Sequence, residues 1–197
     1  MMAHGGKIIH IDPVSREGDY ETMPKADLIL ITHEHGDHLD PEAVAKISKD
    51  GTRIVYTELF GQKLPGGIVM KNGDSQTVAG LPIAAVPAYN IVNKRDNGQP
   101  FPPNGHGNGY ILNLGGTRGY IAGDSENTPE MKALQNINIA FLPMNLPYTM
   151  TPEMVADAAE ALRPRILYPY HFGETNTDKI EELLKNTNIE IRIRNLK

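Results

Sequence analysis

Residues 31–39 read ITHEHGDHL, and the six positions from His33 to His38 hold three of the chain's seven histidines together with Asp37. Side chains of this kind repel one another when protonated and lose hydration when crowded, so a fold gathers them for few reasons other than a cation. The spacing restricts what the backbone around them does. A zinc-binding helix of the His-Glu-x-x-His type needs a second histidine where this chain has Asp37. Gly36, and then Asp40 and Pro41 as an N-cap with proline at the first helical position, place the cluster before a helix and not on it. Residues 26–32, ADLILIT, form an apolar run of the buried-strand type that leads directly into it. The chain must therefore build a sheet with this polar loop at a strand end. In an extended segment His33, His35 and Asp37 share one side, and a turn at Asp37 and His38 delivers a fourth donor.

The remaining sequence alternates in the same way. Residues 7–13 read as a strand stopped by Pro13, residues 40–51 as a helix closed by Gly51, and residues 52–57 as a strand. Strand pieces follow over 68–88. Residues 110–114 and 118–122 flank Gly115, Gly116 and Thr117 as a β-hairpin, which puts Asp124 at a strand end. Helices are expected at 128–135, 151–162 and 178–185, and strands at 138–142, 165–168 and 189–193, the second of these leading to His171. Residues 93–108, rich in glycine, proline and asparagine, are the longest irregular stretch and a candidate substrate lid. This order implies sheets covered by helices in one domain spanning residues 1–197.

Composition removes several classes of function. Basic residues are scattered and the net charge is −5, which gives no broad attraction to nucleic acid. No apolar run approaches a membrane span, and the opening MMAHGGKIIHIDP lacks the apolar core of a signal peptide, so the expectation is no membrane and a cytoplasmic location. With no cysteine there is no disulfide, thiolate ligand or thiol nucleophile, and any metal is held by nitrogen and oxygen.

His33, His35, Asp37 and His38 match in full the His-x-His-x-Asp-His signature of the metallo-β-lactamase superfamily, which the chain resembles along most of its length. IDP at 11–13, GD at 123–124 and PYH at 169–171 match further motifs of that superfamily in the right order. VPAY at 86–89, YIAGD at 120–124 and LYPYH at 167–171 make it similar to small stand-alone hydrolases of the ascorbate-phosphate lactonase group. The resemblance implies a four-layer αββα sandwich with two metal positions on one edge. His33 and His35 would serve the first, Asp37, His38 and His171 the second, and Asp124 would bridge them. It implies Zn, with Mn or Fe as alternatives, at one or two ions per chain, and Asp12 as the carboxylate behind a ligating imidazole.

Two departures stand out. Asn90 occupies the place of a further histidine of the first position, with His106 as the candidate substitute. Strands that precede residue 7 in related chains are missing or cut short here, which leaves a sheet edge open to homo-oligomer pairing.

A bound divalent ion lowers the pKa of its water from 15.7 toward about 7, so the implied activity is hydrolysis of a small ester, lactone or phosphate ester. Asp37, Asp124 and His106 are the catalytic candidates, and Tyr89, Asn90 or Tyr148 could hold an oxyanion. The alternative, motivated by Asn90, is a catalytically weakened metal-binding or assembly protein of the same fold. A di-iron oxidoreductase is disfavoured because that branch has glutamate where His35 stands.

Overall fold

The computed structural model describes residues 1–60 and 66–196. Its first sheet runs, in spatial order, β1 (Met2–His4), β2 (Lys7–Ile11), β3 (Leu28–Leu30), β4 (Arg53–Tyr56) and β5 (Ile68–Val69). The second holds β6 (Ser75–Val78), β7 (Leu81–Ala88), β8 (Gly107–Leu114), β9 (Thr117–Ile121), β10 (Ile139–Pro143), β11 (Ile166–Tyr170) and β12 (Glu190–Ile191), adjacent in sequence order. Four helices cover them: α1 (Pro41–Ile47), α2 (Pro129–Lys132), α3 (Pro152–Leu162) and α4 (Asp178–Leu184).

The layers follow from the period of two in the strands. In β3, Leu28 and Leu30 join Ile9, Val55, Ile83, Tyr110 and Leu112 between the sheets, while Ile29 faces Val44 and Ile47 of α1. A strand buried on both faces reads as an unbroken apolar run, which is how residues 26–32 look in the sequence. On the far side Ile111 and Tyr120 pack under the helices with Val155, Ala159, Leu162 and Ile180. The result is helix, sheet, sheet, helix, the expected four-layer sandwich. Each fully buried Leu or Ile contributes about 1.5–3 kcal/mol, so both the layer between the sheets and the layer under the helices hold the fold together.

Two expectations are corrected. α1 ends at Ile47 and not near Gly51, because Ser48 turns extended and its hydroxyl donates to the Val44 carbonyl at 2.7 Å, capping the last turn. At the other end of the first sheet, Met2–His4 does form a strand, folding back on β2 through Gly5 and Gly6 at φ +56° and +76°. β1 is the edge of that sheet.

The two sheets are stitched together where the histidine loop leaves β3. The Tyr110 hydroxyl donates to the Ile31 carbonyl at 2.8 Å, and the Asn108 N–H donates to the Thr32 carbonyl at 2.9 Å. No helix among the described residues is long and apolar enough to cross a membrane.

Candidate metal centre

The chain stays extended from β3 to His33 and then curls. The N–H groups of His38 and Leu39 both donate to the His35 carbonyl at 3.0 Å, so the turn expected at Asp37 and His38 begins earlier and takes in residues 35–38. That turn swings His38 back toward the end of β2. There Asp12, in the left-handed region at φ +44°, receives His38 Nδ1 on Oδ2 at 2.8 Å. Asp12 also accepts the Thr32 N–H and hydroxyl, each at 2.7 Å. Since the Thr32 hydroxyl spends its proton on Asp12, it can only accept from His33 Nδ1, 3.1 Å away. Both imidazoles are thereby fixed with Nδ1–H outward, and their Nε2 atoms face the centre.

The second sheet supplies the opposite wall. Gly123 follows β9 at φ +66°, and a Cβ there would lie 2.9 Å from the Asn108 carbonyl oxygen and 3.2 Å from Thr32 Cβ, so only glycine makes this turn. It delivers buried Asp124, whose Oδ1 is 3.3 Å from His38 Nε2 and whose Oδ2 is 3.7 Å from His33 Nε2. β11 delivers His171, itself at φ +47° and held by a hydrogen bond from its N–H to the Leu196 carbonyl at 2.6 Å. Its Nε2 lies 3.8 Å from Asp37 Oδ2. Two site residues in the left-handed region mean that the fold holds local strain of about 1–3 kcal/mol at each.

All six expected donors converge. They form three overlapping groups, His33 with His35 and Asp37, His33 with His38 and Asp124, and Asp37 with His38 and His171, each with its donor atoms within 4.8 Å of one another. Electrostatics show what the cluster lacks. Burial, then the charge of His38, brings His33 down to about 4. For His38 burial acts the same way, but Asp124 and Asp12 outweigh it and hold the ring well above its ordinary value. Asp124, despite burial, sits at about 2 because His38, His33 and His171 surround it. His171 holds the Asp37 carboxyl well below the usual carboxylate range. The two carboxylates are held ionised and His33 neutral, the forms in which they can bind a cation.

Buried His38 Nε2 and Asp124 Oδ1 approach to 3.3 Å, yet neither has a hydrogen-bond partner. Orphaned atoms of this kind are costly unless a cation joins them. His33 Nε2 and His35 Nδ1, 3.1 Å apart, also fit. The residues present suit a divalent ion.

Residues 1–171 match the model of the beta-lactamase superfamily domain. The chain belongs to that superfamily. It is 35% identical to a UPF0173 metal-dependent hydrolase of Thermococcus onnurineus, over 86% of this chain and 79% of the relative. Another such protein, from Nitratidesulfovibrio vulgaris, is 30% identical over 99% of this chain and 87% of its own. A crystal structure from Parabacteroides distasonis, described as a metal-dependent hydrolase, superposes with a TM-score of 0.93 at 50% identity, covering 98% of this chain and 87% of that one.

Against the superfamily pattern, the other candidates fall differently. His106 sits in the turn before β8, its N–H on the Pro103 carbonyl at 3.2 Å, and belongs to none of the three groups. The turn sets the backbone direction there, and sequence distance from β8 alone does not show it. The Tyr89 hydroxyl donates to Glu130 of α2 at 2.8 Å. Asn90 is buried, its amide N–H donating to the Tyr148 carbonyl at 2.8 Å while Oδ1 has no partner. Two residues gave no sequence signal. Thr32 looks like the last residue of a strand, and Glu126, fully buried, accepts the N–H groups of Ile91, Val92 and Asn93 at 2.7 Å each.

Proposed function

We propose that this protein is a metal-dependent hydrolase with a binuclear, zinc-type centre that acts on a small ester, lactone or phosphate ester. The observation that carries this reading is the buried pair His38 Nε2 and Asp124 Oδ1, facing each other at 3.3 Å without a hydrogen bond inside a ring of six donors from both sheets.

His33 and His35, with Asp124 Oδ2, would hold one ion, and Asp37, His38 and His171, with Asp124 Oδ1, the other. The first set has one donor fewer. Asn90 offers it at most an amide oxygen, a weak ligand for a transition metal. A bound ion supplies hydroxide chemistry near neutral pH and polarises the oxygen under attack. The protein supplies orientation. Asp12 and Thr32 hold the two buried imidazoles in the ligating tautomer, and Asp124 turns Oδ1 toward His38 and Oδ2 toward His33. Asp37, the most open of the site carboxylates, is placed to orient the attacking water through its carboxylate oxygen.

The test is metal analysis of the purified protein together with a panel of esters, lactones and phosphate esters. Turnover should vanish on chelation, return with Zn, Mn or Fe, and be lost in His38→Ala. Hydrolysis that persists after complete chelation would sink the proposal. The competing reading, a weakened metal-binding or assembly protein, is motivated by Asn90, and metal-dependent turnover on any panel member eliminates it.

A further inference from the structure

Nine large hydrophobic side chains are exposed among the described residues, and four of them stand on two loops beside the metal centre. They are Ile91 (47%), Val92 (69%), Leu146 (50%) and Tyr148 (46%). The loops are tied to each other, Asn90 donating to the Tyr148 carbonyl at 2.8 Å and Asn93 to the Thr149 carbonyl at 3.1 Å. Each is also tied to a strand end of the site. The first follows β7 and is bonded to the segment after Asp124, the Tyr89 N–H donating to Ser125 Oγ at 3.2 Å. The second follows β10, and Asn145 lies against Gly173, two residues beyond His171.

The first loop is held with unusual care. Glu126, a fully buried carboxylate, takes one N–H from each of Ile91, Val92 and Asn93. Burying that charge is costly, and three charge-assisted bonds offset the cost. The outcome is a fixed backbone whose apolar side chains point into water. Folding gains nothing from rigidly displayed hydrophobes, whereas a ligand does, because a preorganised contact loses little entropy on binding. The second loop is supported from outside. Phe101 meets Tyr148 edge-on at 5.5 Å, and the Arg95 guanidinium lies over Phe101 at 4.4 Å from the ring centre.

We infer that Ile91, Val92, Leu146 and Tyr148 form a preorganised rim that binds the apolar arm of the substrate. The compounds cleaved are thus esters or lactones with an alkyl or aryl arm, in preference to small, fully hydrophilic ones. This assignment rests on the hydrolase reading above.

Two titrations separate the two claims. With the metal-loaded protein, kcat/KM for p-nitrophenyl acetate, butyrate, hexanoate and octanoate should climb by about two- to fourfold per added methylene over the first few, the increment for partial to full burial. In the Ile91→Ser, Val92→Ser double variant, the octanoate-to-acetate ratio should fall at least tenfold. Binding of acetohydroxamate and octanohydroxamate, followed calorimetrically, should show the same gradient and the same loss, without requiring any ester to turn over. A gradient in binding with no hydrolysis removes the hydrolase reading and keeps the rim. Flat series in both assays overturn the rim, as does a concentration-dependent dimer that the double variant abolishes, which would give these side chains to a second copy of the chain. Glu126→Gln, folded by circular dichroism, should raise KM for octanoate more than it lowers kcat. An effect on kcat alone would refute the role given to the brace.

Discussion

Asp12→Asn separates the metal reading from a merely structural one. Asp12 receives three hydrogen bonds, the Thr32 N–H on Oδ1 and both the Thr32 hydroxyl and His38 Nδ1 on Oδ2. Asparagine tolerates the left-handed backbone at φ +44° about as well as aspartate, so the substitution adds no strain. Its oxygen can keep the Thr32 N–H, which leaves the amide NH2 where Oδ2 was. Facing that donor, His38 must accept at Nδ1 and carry its proton on Nε2, the atom turned toward Asp124. The ligating lone pair is then lost. Exchanging a charged acceptor for a neutral group costs roughly 1 kcal/mol of stability. Removing the carboxylate behind a ligating imidazole costs about 10- to 100-fold in metal affinity, or about 1.4–2.7 kcal/mol, and the flipped tautomer puts this case at the upper end. Competition against a chromophoric chelator measures it directly, with a denaturant melt of the metal-free protein reporting the stability change. Affinity within about twofold of the parent would refute the reasoning, since it would mean that His38 does not ligate through Nε2.

Other predictions test neighbouring parts of the structure. Asn90→His should raise the metal retained after dialysis toward two ions per chain, read by elemental analysis; unchanged stoichiometry would show that Asn90 does not border the weaker position. Gly123→Ala should cost about 2–4 kcal/mol in a denaturant melt, from a left-handed backbone and a Cβ driven against the Asn108 carbonyl. Gly119→Ala, with open space around its Cβ and no positive φ, should be close to neutral. Asp40 caps α1, and Ser15, then the N–H groups of Ala43 and Glu42, pull its carboxyl down from 3.8 to about 2. Asp40→Ala should cost about 1 kcal/mol at neutral pH. Because the folded pKa is the lower one, the stability is complete above about pH 4 and disappears as pH falls through about 2, so melts of the two proteins should converge over that interval.

Much of the centre was legible in the sequence because its donors sit at strand ends, where short motifs survive without long-range information. His33 to His38, Asp124 after Gly123, and His171 after an apolar strand all follow that logic, and Asp12 does so at the end of β2. The full extent of the curl over residues 35–38 was not legible. Alternation carries the extended reading as far as Asp37 and puts the turn at Asp37 and His38, whereas the His35 carbonyl, which takes two N–H groups, starts it earlier. Glu126 was hidden for a related reason, since its three partners lie 33–35 residues away and a loop carboxylate carries no periodicity. His106 carries no comparable signal, because a glycine-rich loop leaves the direction of a side chain open in the sequence. The early end of α1 turned on one hydroxyl, that of Ser48, beating a glycine three residues later.

The donors straddle the sandwich, with four on the loop leaving one sheet and two on strand ends of the other. The gap between the sheets is therefore a gauge for the centre, and the Leu30, Met70 and Leu112 packing that sets that gap also sets how far His38 stands from Asp124. A methyl group trimmed from this interior would register at the catalytic edge as a change in grip on the ion, with no ligand touched.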